Sequence, residues 1–198
     1  MDPRWKRISD RSKSAALHPR VVFWKKRYAD EILKPFPYGM VGSAWFEDLK
    51  VLLPAFREAK GTLWVIPHSL ETKNIKRMQE LLEVEIPGRY ILVNEMGFLL
   101  ELYSLAQWVW VGGGFGKGIH STMEPAIYGV PLACGPKNVD QFFETQMLCD
   151  SQQLTVCKNT KESLLWLESQ SNRSLLNVLN DQVLSHFSQL IEHCIQIS

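Results

Sequence analysis

From Tyr38 onward, short unbroken apolar runs alternate with longer segments of helical pattern, and few folds accept that alternation. The runs are Tyr38–Val41, Thr62–Ile66, Tyr90–Val93, Trp108–Val111, Val130–Cys134 and Leu154–Cys157. Between them the pattern predicts helices over Trp45–Lys60, Leu70–Val84, Phe98–Ala106, Thr122–Tyr128 and Gln141–Cys149, and again from Lys161 onward, with a break near Ser171 to Ser174. A strand that is apolar at every position is buried on both faces, which means a parallel sheet between two helical layers. Right-handed crossovers then give an α/β fold, a Rossmann-like doubly wound parallel sheet of about six strands. Such sheets bind ligands beyond the carboxyl ends of their strands, where the strand order reverses. The candidate site therefore lies on the loops Gly42-Ser43, Pro67-His68, Asn94-Glu95, Gly112 to Ser121 and Gly135 to Asn138.

A length of 198 residues suits one such domain with a short appendage. The formal net charge of +1 gives no argument for nucleic acid as a partner. The four cysteines contain no Cys-x-x-Cys pair, so neither a zinc site nor a disulfide framework follows, and a reducing compartment is expected. No run is apolar enough to span a bilayer, and no secretory signal precedes the first charges. Residues 1–37 read as a basic interdomain segment packing on the domain that occupies 38–198. Between Arg4 and Arg27 the cations Arg4, Lys6, Arg7, Arg11, Lys13, Arg20, Lys25, Lys26 and Arg27 are opposed only by Asp10. Such a run is either a solvated helix face or a patch turned to an anionic membrane surface or anionic substrate.

The most informative stretch is Val111-Gly-Gly-Gly-Phe-Gly-Lys-Gly-Ile-His-Ser-Thr-Met-Glu-Pro125. Glycines 112, 113, 114, 116 and 118 follow a strand and precede a helix. Bare backbone can approach a ligand closely there, and a helix N-terminus favours a phosphate. Counting excludes the Walker A motif, because Val111 stands where its first glycine belongs and Gly118 where Ser or Thr must follow the lysine. The dinucleotide motif G-x-G-x-x-G has no register either. Ser121-Thr-Met-Glu124 has the form of a capping box, so Glu124 either caps the helix or accepts the hydroxyls of a ribose. Lys117 is a solvated loop lysine or a point charge for a phosphate or sugar carboxylate. His120 is a loop residue satisfied within the protein, or a donor to a ligand oxygen.

This loop, with Gly42-Ser-Ala-Trp45 and Met96-Gly-Phe-Leu-Leu-Glu-Leu-Tyr-Ser-Leu-Ala106, resembles the Kdo (3-deoxy-D-manno-octulosonic acid) transferases of lipopolysaccharide assembly. Their loop reads V-G-G-G-F-G-K-G-x-H-N-x-x-E-P, followed by G-x-P and G-P, and this chain supplies Gly129-Val-Pro131 and Gly135-Pro136 at the matching places. The resemblance runs from Asp2 to about Leu148. It implies the C-terminal, donor-binding domain of a two-domain GT-B glycosyltransferase, whose N-terminal domain binds lipid A acceptor and carries the glutamate base. By position, Gly42, Ser43, Pro67, His68, Gly112, Gly113, Gly114, Phe115, Gly116, Lys117, Gly118, His120, Ser121 and Glu124 would line the CMP-Kdo pocket. Ser121 stands where the family has Asn, and Ser69 where a Glu or a basic pair follows Pro-His. Asp2-Pro-Arg-Trp-Lys-Arg-Ile8 resembles the family segment G-D-x-(R/K)-(F/W)-D that closes the acceptor domain. The chain is therefore expected to begin at the domain boundary, without a catalytic residue of its own and inactive alone.

The resemblance further implies a metal-independent site with no cofactor, CMP-Kdo or CMP as ligand, and lipid A precursor reached through the missing acceptor domain. It places the enzyme peripherally at the cytoplasmic face of the bacterial inner membrane, with this fragment soluble. Two other functions fit the fold: a UDP-sugar transferase or epimerase of GT-B type, and a non-catalytic nucleotide-binding or interaction module.

Overall fold

The computed structural model describes residues 3–29, 38–59 and 61–170. The expected helix break at Ser171 to Ser174 and the chain beyond it lie outside these residues. Six parallel strands form one sheet in the order β3-β2-β1-β4-β5-β6. They are β1 (Gly39–Ala44), β2 (Leu63–Pro67), β3 (Tyr90–Leu92), β4 (Trp108–Val111), β5 (Leu132–Cys134) and β6 (Leu154–Val156). The register pairs Met40 with Trp64 on one side and with Val109 on the other. The order reverses between β1 and β4, so the middle of the sheet is its switch point.

Successive side chains of a strand point to opposite faces, and here both faces are covered. Met40, Trp64, Ile66, Val109 and Val111 pack into one apolar layer with Val21, Trp24, Leu102 and Tyr103. Val41, Val65, Trp108 and Trp110 pack into the other with Leu49, Leu52, Phe56, Met78, Leu82 and Trp166. Two helices precede the sheet, α1 (Pro3–Ser12) and α2 (Pro19–Arg27), linked by a 3-10 turn over Ala15–Leu17, and α2 joins the first layer. Ile8 of α1 is buried against Leu100 and Met123, and Val21 and Trp24 of α2 enter the core directly.

Among the described residues the remaining α-helices are α3 (Phe46–Glu58), α4 (Thr72–Glu85), α5 (Leu99–Leu102), α6 (Met123–Ala126), α7 (Phe143–Asp150) and a helix over 160–170. Two expectations change. The helix predicted over Phe98–Ala106 is one α turn followed by a 3-10 turn over Tyr103–Leu105. The helix predicted over Thr122–Tyr128 shrinks to the single turn of α6, capped by Thr122 without a side-chain hydrogen bond. The capping box read from Ser121 and Glu124 does not form. The Thr122 hydroxyl instead lies 3.2 Å from that of Thr145, tying this turn to α7.

The glycine loop is held by a residue far away in sequence. Asp48, in the first turn of α3, is fully buried. One carboxylate oxygen accepts from the amides of Gly113 (2.7 Å) and Trp45 (3.1 Å), and the other accepts from Phe115 (3.1 Å). Burial pushes this carboxyl up and the three amide donors oppose the rise. The loop also closes on itself: Gly116 and Gly118 both donate to the Gly113 carbonyl, and His120 to that of Gly112. Its edge is laced to the next loop, with Lys137 donating to Gly114 and Ile119 to Lys137.

These contacts give most of the loop's glycines a reason within the protein itself, apart from any ligand. Gly113 and Gly118 have φ of +95° and +133°, which side chains rarely adopt. A Cβ on Gly112 would run into the Ser43 carbonyl, and one on Gly114 into the Gly135 backbone. Gly116 alone of the five would meet only ordinary contacts, 3.7 Å and beyond.

Two stability measurements check this account. Urea denaturation of Asp48→Ala should show a loss of about 3 kcal/mol or more, because three buried N–H groups lose their acceptor. A loss below about 1 kcal/mol would mean that the loop keeps its shape without the carboxylate. Gly113→Ala should lose at least about 2 kcal/mol while Gly116→Ala stays within about 0.5 kcal/mol of the parent. Equal losses in the two glycine variants would contradict the assigned roles.

Candidate functional site

The carboxyl ends of β1 and β4 meet at the switch point, where the Gly112 amide donates to the Gly42 carbonyl at 2.9 Å. Just beyond, Ser43 adopts a left-handed φ of 50°, at the register shift between Val41 and Ala44. A non-glycine residue held there stores strain, and such strain is concentrated at functional sites. Ser43 thereby turns its carbonyl against Gly112 and sends the chain on into Trp45.

Trp45 organises the next layer. Its indole N–H donates to His120 Nε2 at 2.8 Å. An indole nitrogen only donates, so His120 Nε2 must be the unprotonated acceptor and the ring proton sits on Nδ1. The His68 ring stacks over both of the others, 4.6 Å from Trp45 and 4.3 Å from His120. Burial, with His68 adding to it, pulls the His120 pKa down to about 4. Burial and the nearby Lys117 ammonium lower that of His68. Both imidazoles are thus held neutral. The Lys117 ammonium lies 4.8 Å from the Trp45 ring centroid, an exposed cation on an aromatic face.

The loop offers few free amides. Those of Gly112, Gly113, Phe115, Gly116, Gly118, Ile119 and His120 all donate within the protein. Between residues 112 and 120, the amides of Gly114 and Lys117 are left without an acceptor among the described residues. The one-turn α6 adds little dipole, so the expected anion cradle of loop amides and helix terminus is weak.

A second group of residues gathers on the side of α1. Arg4, Arg7, Ile8 and Arg11 of α1, with Ser121 and Glu124, line a cleft of about 280 Å³. Arg11 makes a two-pronged ion pair with the buried Glu101, at 2.7 and 2.8 Å. Burial alone would raise the Glu101 carboxyl, but Arg11 overrides it and holds it low. Glu124 is raised, chiefly by burial, with Arg11 and Arg7 opposing.

The residues proposed from sequence therefore divide. His68, Lys117 and His120 come together around Trp45. Ser121 and Glu124 face the arginine cleft instead. Gly42 is packed against the Tyr103 hydroxyl, Pro67 is buried at the end of β2, and Phe115 stacks on Trp110 and belongs to the core's packing. Sequence reading missed Asp48, the bonding role of Trp45, and Lys137, which donates to the Gly116 carbonyl at 2.6 Å. The bond from the Trp45 amide to Asp48 is local, but the contacts that tie these three residues to the glycine loop reach across 21 to 75 residues. Arg4, Arg7, Ile8 and Arg11 were readable, since their spacing is that of one helix face. Among the described residues no group of three or more His, Cys, Asp or Glu side chains is placed to hold a metal ion. No described helix is long and apolar enough to cross a membrane.

No family model matches the chain. It is 31% identical over 110 residues to 3-deoxy-D-manno-octulosonic acid transferase of Aquifex aeolicus (strain VF5), a match covering 49% of this chain and 31% of the relative. It is 32% identical over 112 residues to the transferase of the same name from Chlamydophila psittaci (strain ATCC VR-125 / 6BC), covering 49% of this chain and 26% of the relative. The chain thus spans about a third or less of the length of these curated relatives. Among solved structures, sucrose-phosphate synthase from Thermosynechococcus elongatus superposes with a TM-score of 0.52 at 12% identity, covering 86% of this chain and 49% of that one. The C-terminal CMP-Kdo binding domain of WaaA from Acinetobacter baumannii superposes with a TM-score of 0.58 at 16% identity, over 80% of this chain and 99% of that domain. The chain has the fold of that domain and sequence similarity to Kdo transferases over half its length.

Proposed function

We propose that this chain binds the nucleotide-sugar donor CMP-Kdo and is the donor half of a Kdo transferase. The observation that carries this is the 31–32% identity to two Kdo transferases across half the chain. The strained, braced loops at the sheet's switch point supply a place for the ligand. In the reaction, the bond from the Kdo anomeric carbon to the CMP phosphate breaks and one to an acceptor hydroxyl oxygen forms, with the hydroxyl proton passing to a base on the acceptor side. CMP leaves with its charge already stable on phosphate. The task of this chain is to hold the donor and orient it. His68 and His120 present neutral ring nitrogens, Lys117 an ammonium, and Glu124 a carboxylate for ribose hydroxyls.

Calorimetric titration of the chain with CMP, UMP and UDP tests the donor assignment. CMP should bind most tightly; preference for UDP would shift the assignment to a UDP-sugar enzyme. Glu124→Gln should weaken CMP binding by about 1–3 kcal/mol, the scale of a charge-assisted hydrogen bond to the ribose. Unchanged affinity would remove Glu124 from the site.

The same proposal has the enzyme working on a lipid acceptor, as a peripheral protein at the cytoplasmic face of the inner membrane. The outward face of α2 favours this. Val22 and Phe23 are 49% and 45% exposed, and Lys26 and Arg27 share their side of the helix. Apolar side chains among cations fit an anionic bilayer surface. The chain should sediment with vesicles containing phosphatidylglycerol at low salt and release as salt rises. Failure to sediment at low salt would leave α2 without this role.

A further inference from the structure

We infer that Arg7 supplies the cation that holds the phosphate of the bound nucleotide. This rests on the donor-binding role proposed above and names the residue that meets the donor's charge. The glycine loop is a poor phosphate cradle, because seven of its nine amides between 112 and 120 are spent inside the protein. The helix that follows is a single turn. The Lys137 ammonium donates to the Gly116 carbonyl. The Lys117 ammonium sits on the Trp45 ring. A nucleotide monophosphate needs charge from elsewhere.

The cleft between α1 and α6 has that charge. Positions 4, 7, 8 and 11 fall on one face of α1 and all line the cleft. Ile8 fixes this face by packing against Leu100 and Met123. Two of the three arginines are engaged: Arg4 with Glu144 at 3.1 Å, and Arg11 with both oxygens of Glu101. Arg7 makes no salt bridge among the described residues. It stands by Glu124, whose carboxyl it helps to hold down. A carboxylate and a guanidinium in one cleft are the polar complement of a ribose monophosphate. The carboxylate accepts from hydroxyls, and the planar fork of N–H donors matches phosphate oxygens. Arg7 and Arg11 also offset the repulsion that Glu124 would exert on a phosphate.

The alternative is that Arg7 merely neutralises Glu124. Titrating parent, Arg7→Gln and Arg7→Lys chains with CMP and with cytidine separates the two. The parent should bind CMP more tightly than cytidine. In Arg7→Gln the CMP affinity should fall roughly tenfold, to the level of cytidine, while cytidine binding is unchanged, and Arg7→Lys should lie between. The inference is overturned if Arg7→Gln binds CMP as the parent does, or if CMP and cytidine weaken equally. A parent that binds CMP no better than cytidine overturns it too, while leaving nucleoside recognition in place. A parent that binds neither ligand removes the donor role itself, and Arg7 with it. Arg7 is exposed on α1, and circular dichroism confirms the fold of each variant.

Discussion

The buried carboxylate of Asp48 holds the architecture of the site together. β1 and β4 are neighbours at the switch point, but their loops leave the sheet separately and would be free to move apart. Asp48 ties them by accepting from Trp45 after β1 and from Gly113 and Phe115 after β4. A carboxylate withdrawn from water is costly unless its lone pairs are filled, and three amides fill them. The loop's form is therefore set before any ligand arrives, which lowers the ordering cost of binding. The position of His120 follows from the same tie, because its amide is anchored on Gly112 and its ring on Trp45.

The sheet was legible in the sequence because its signal is local. Strands buried on both faces are apolar at every position, and β4 matches its expected bounds of Trp108–Val111 residue for residue. The single turn after the glycine loop was not legible, for the opposite reason. Ser121 and Glu124 have capping-box spacing, yet the polar bond at this turn runs from Thr122 to Thr145, a partner in another helix. Tertiary packing overrides a local pattern there. The glycines illustrate a related limit. Their density was visible, but what requires it are backbone segments around Ser43 and Gly135 that only the folded chain brings near.

The basic stretch before the sheet was read as a single charge run, and its periodicity divides it. Arg4, Arg7 and Arg11 share the face of α1 that meets the cleft, and Arg11 is anchored by a carboxylate buried beneath it. Lys26 and Arg27 of α2 stand with Val22 and Phe23 on an outward face. Net charge cannot distinguish these faces, whereas the 3.6-residue period can. One short segment thus presents cations on two differently built faces, one lining a cleft and one set among exposed apolar side chains.

The neutral histidines explain why the arginines carry so much weight. Protonating His120 would put a hydrogen on Nε2, facing an indole N–H that can only donate, so the bond to Trp45 would be lost. Burial acts in the same direction, and the pKa near 4 keeps the ring uncharged across the neutral range. His68, stacked over Trp45 and His120 with Lys117 nearby, is lowered as well. The cluster around Trp45 beside the glycine loop therefore offers rings and hydrogen-bonding nitrogens, with Lys117 and Lys137 as its cations. Charge is concentrated on the other side, along α1. An anionic group is therefore matched by the guanidiniums that line the α1 cleft and not by the neutral rings around Trp45.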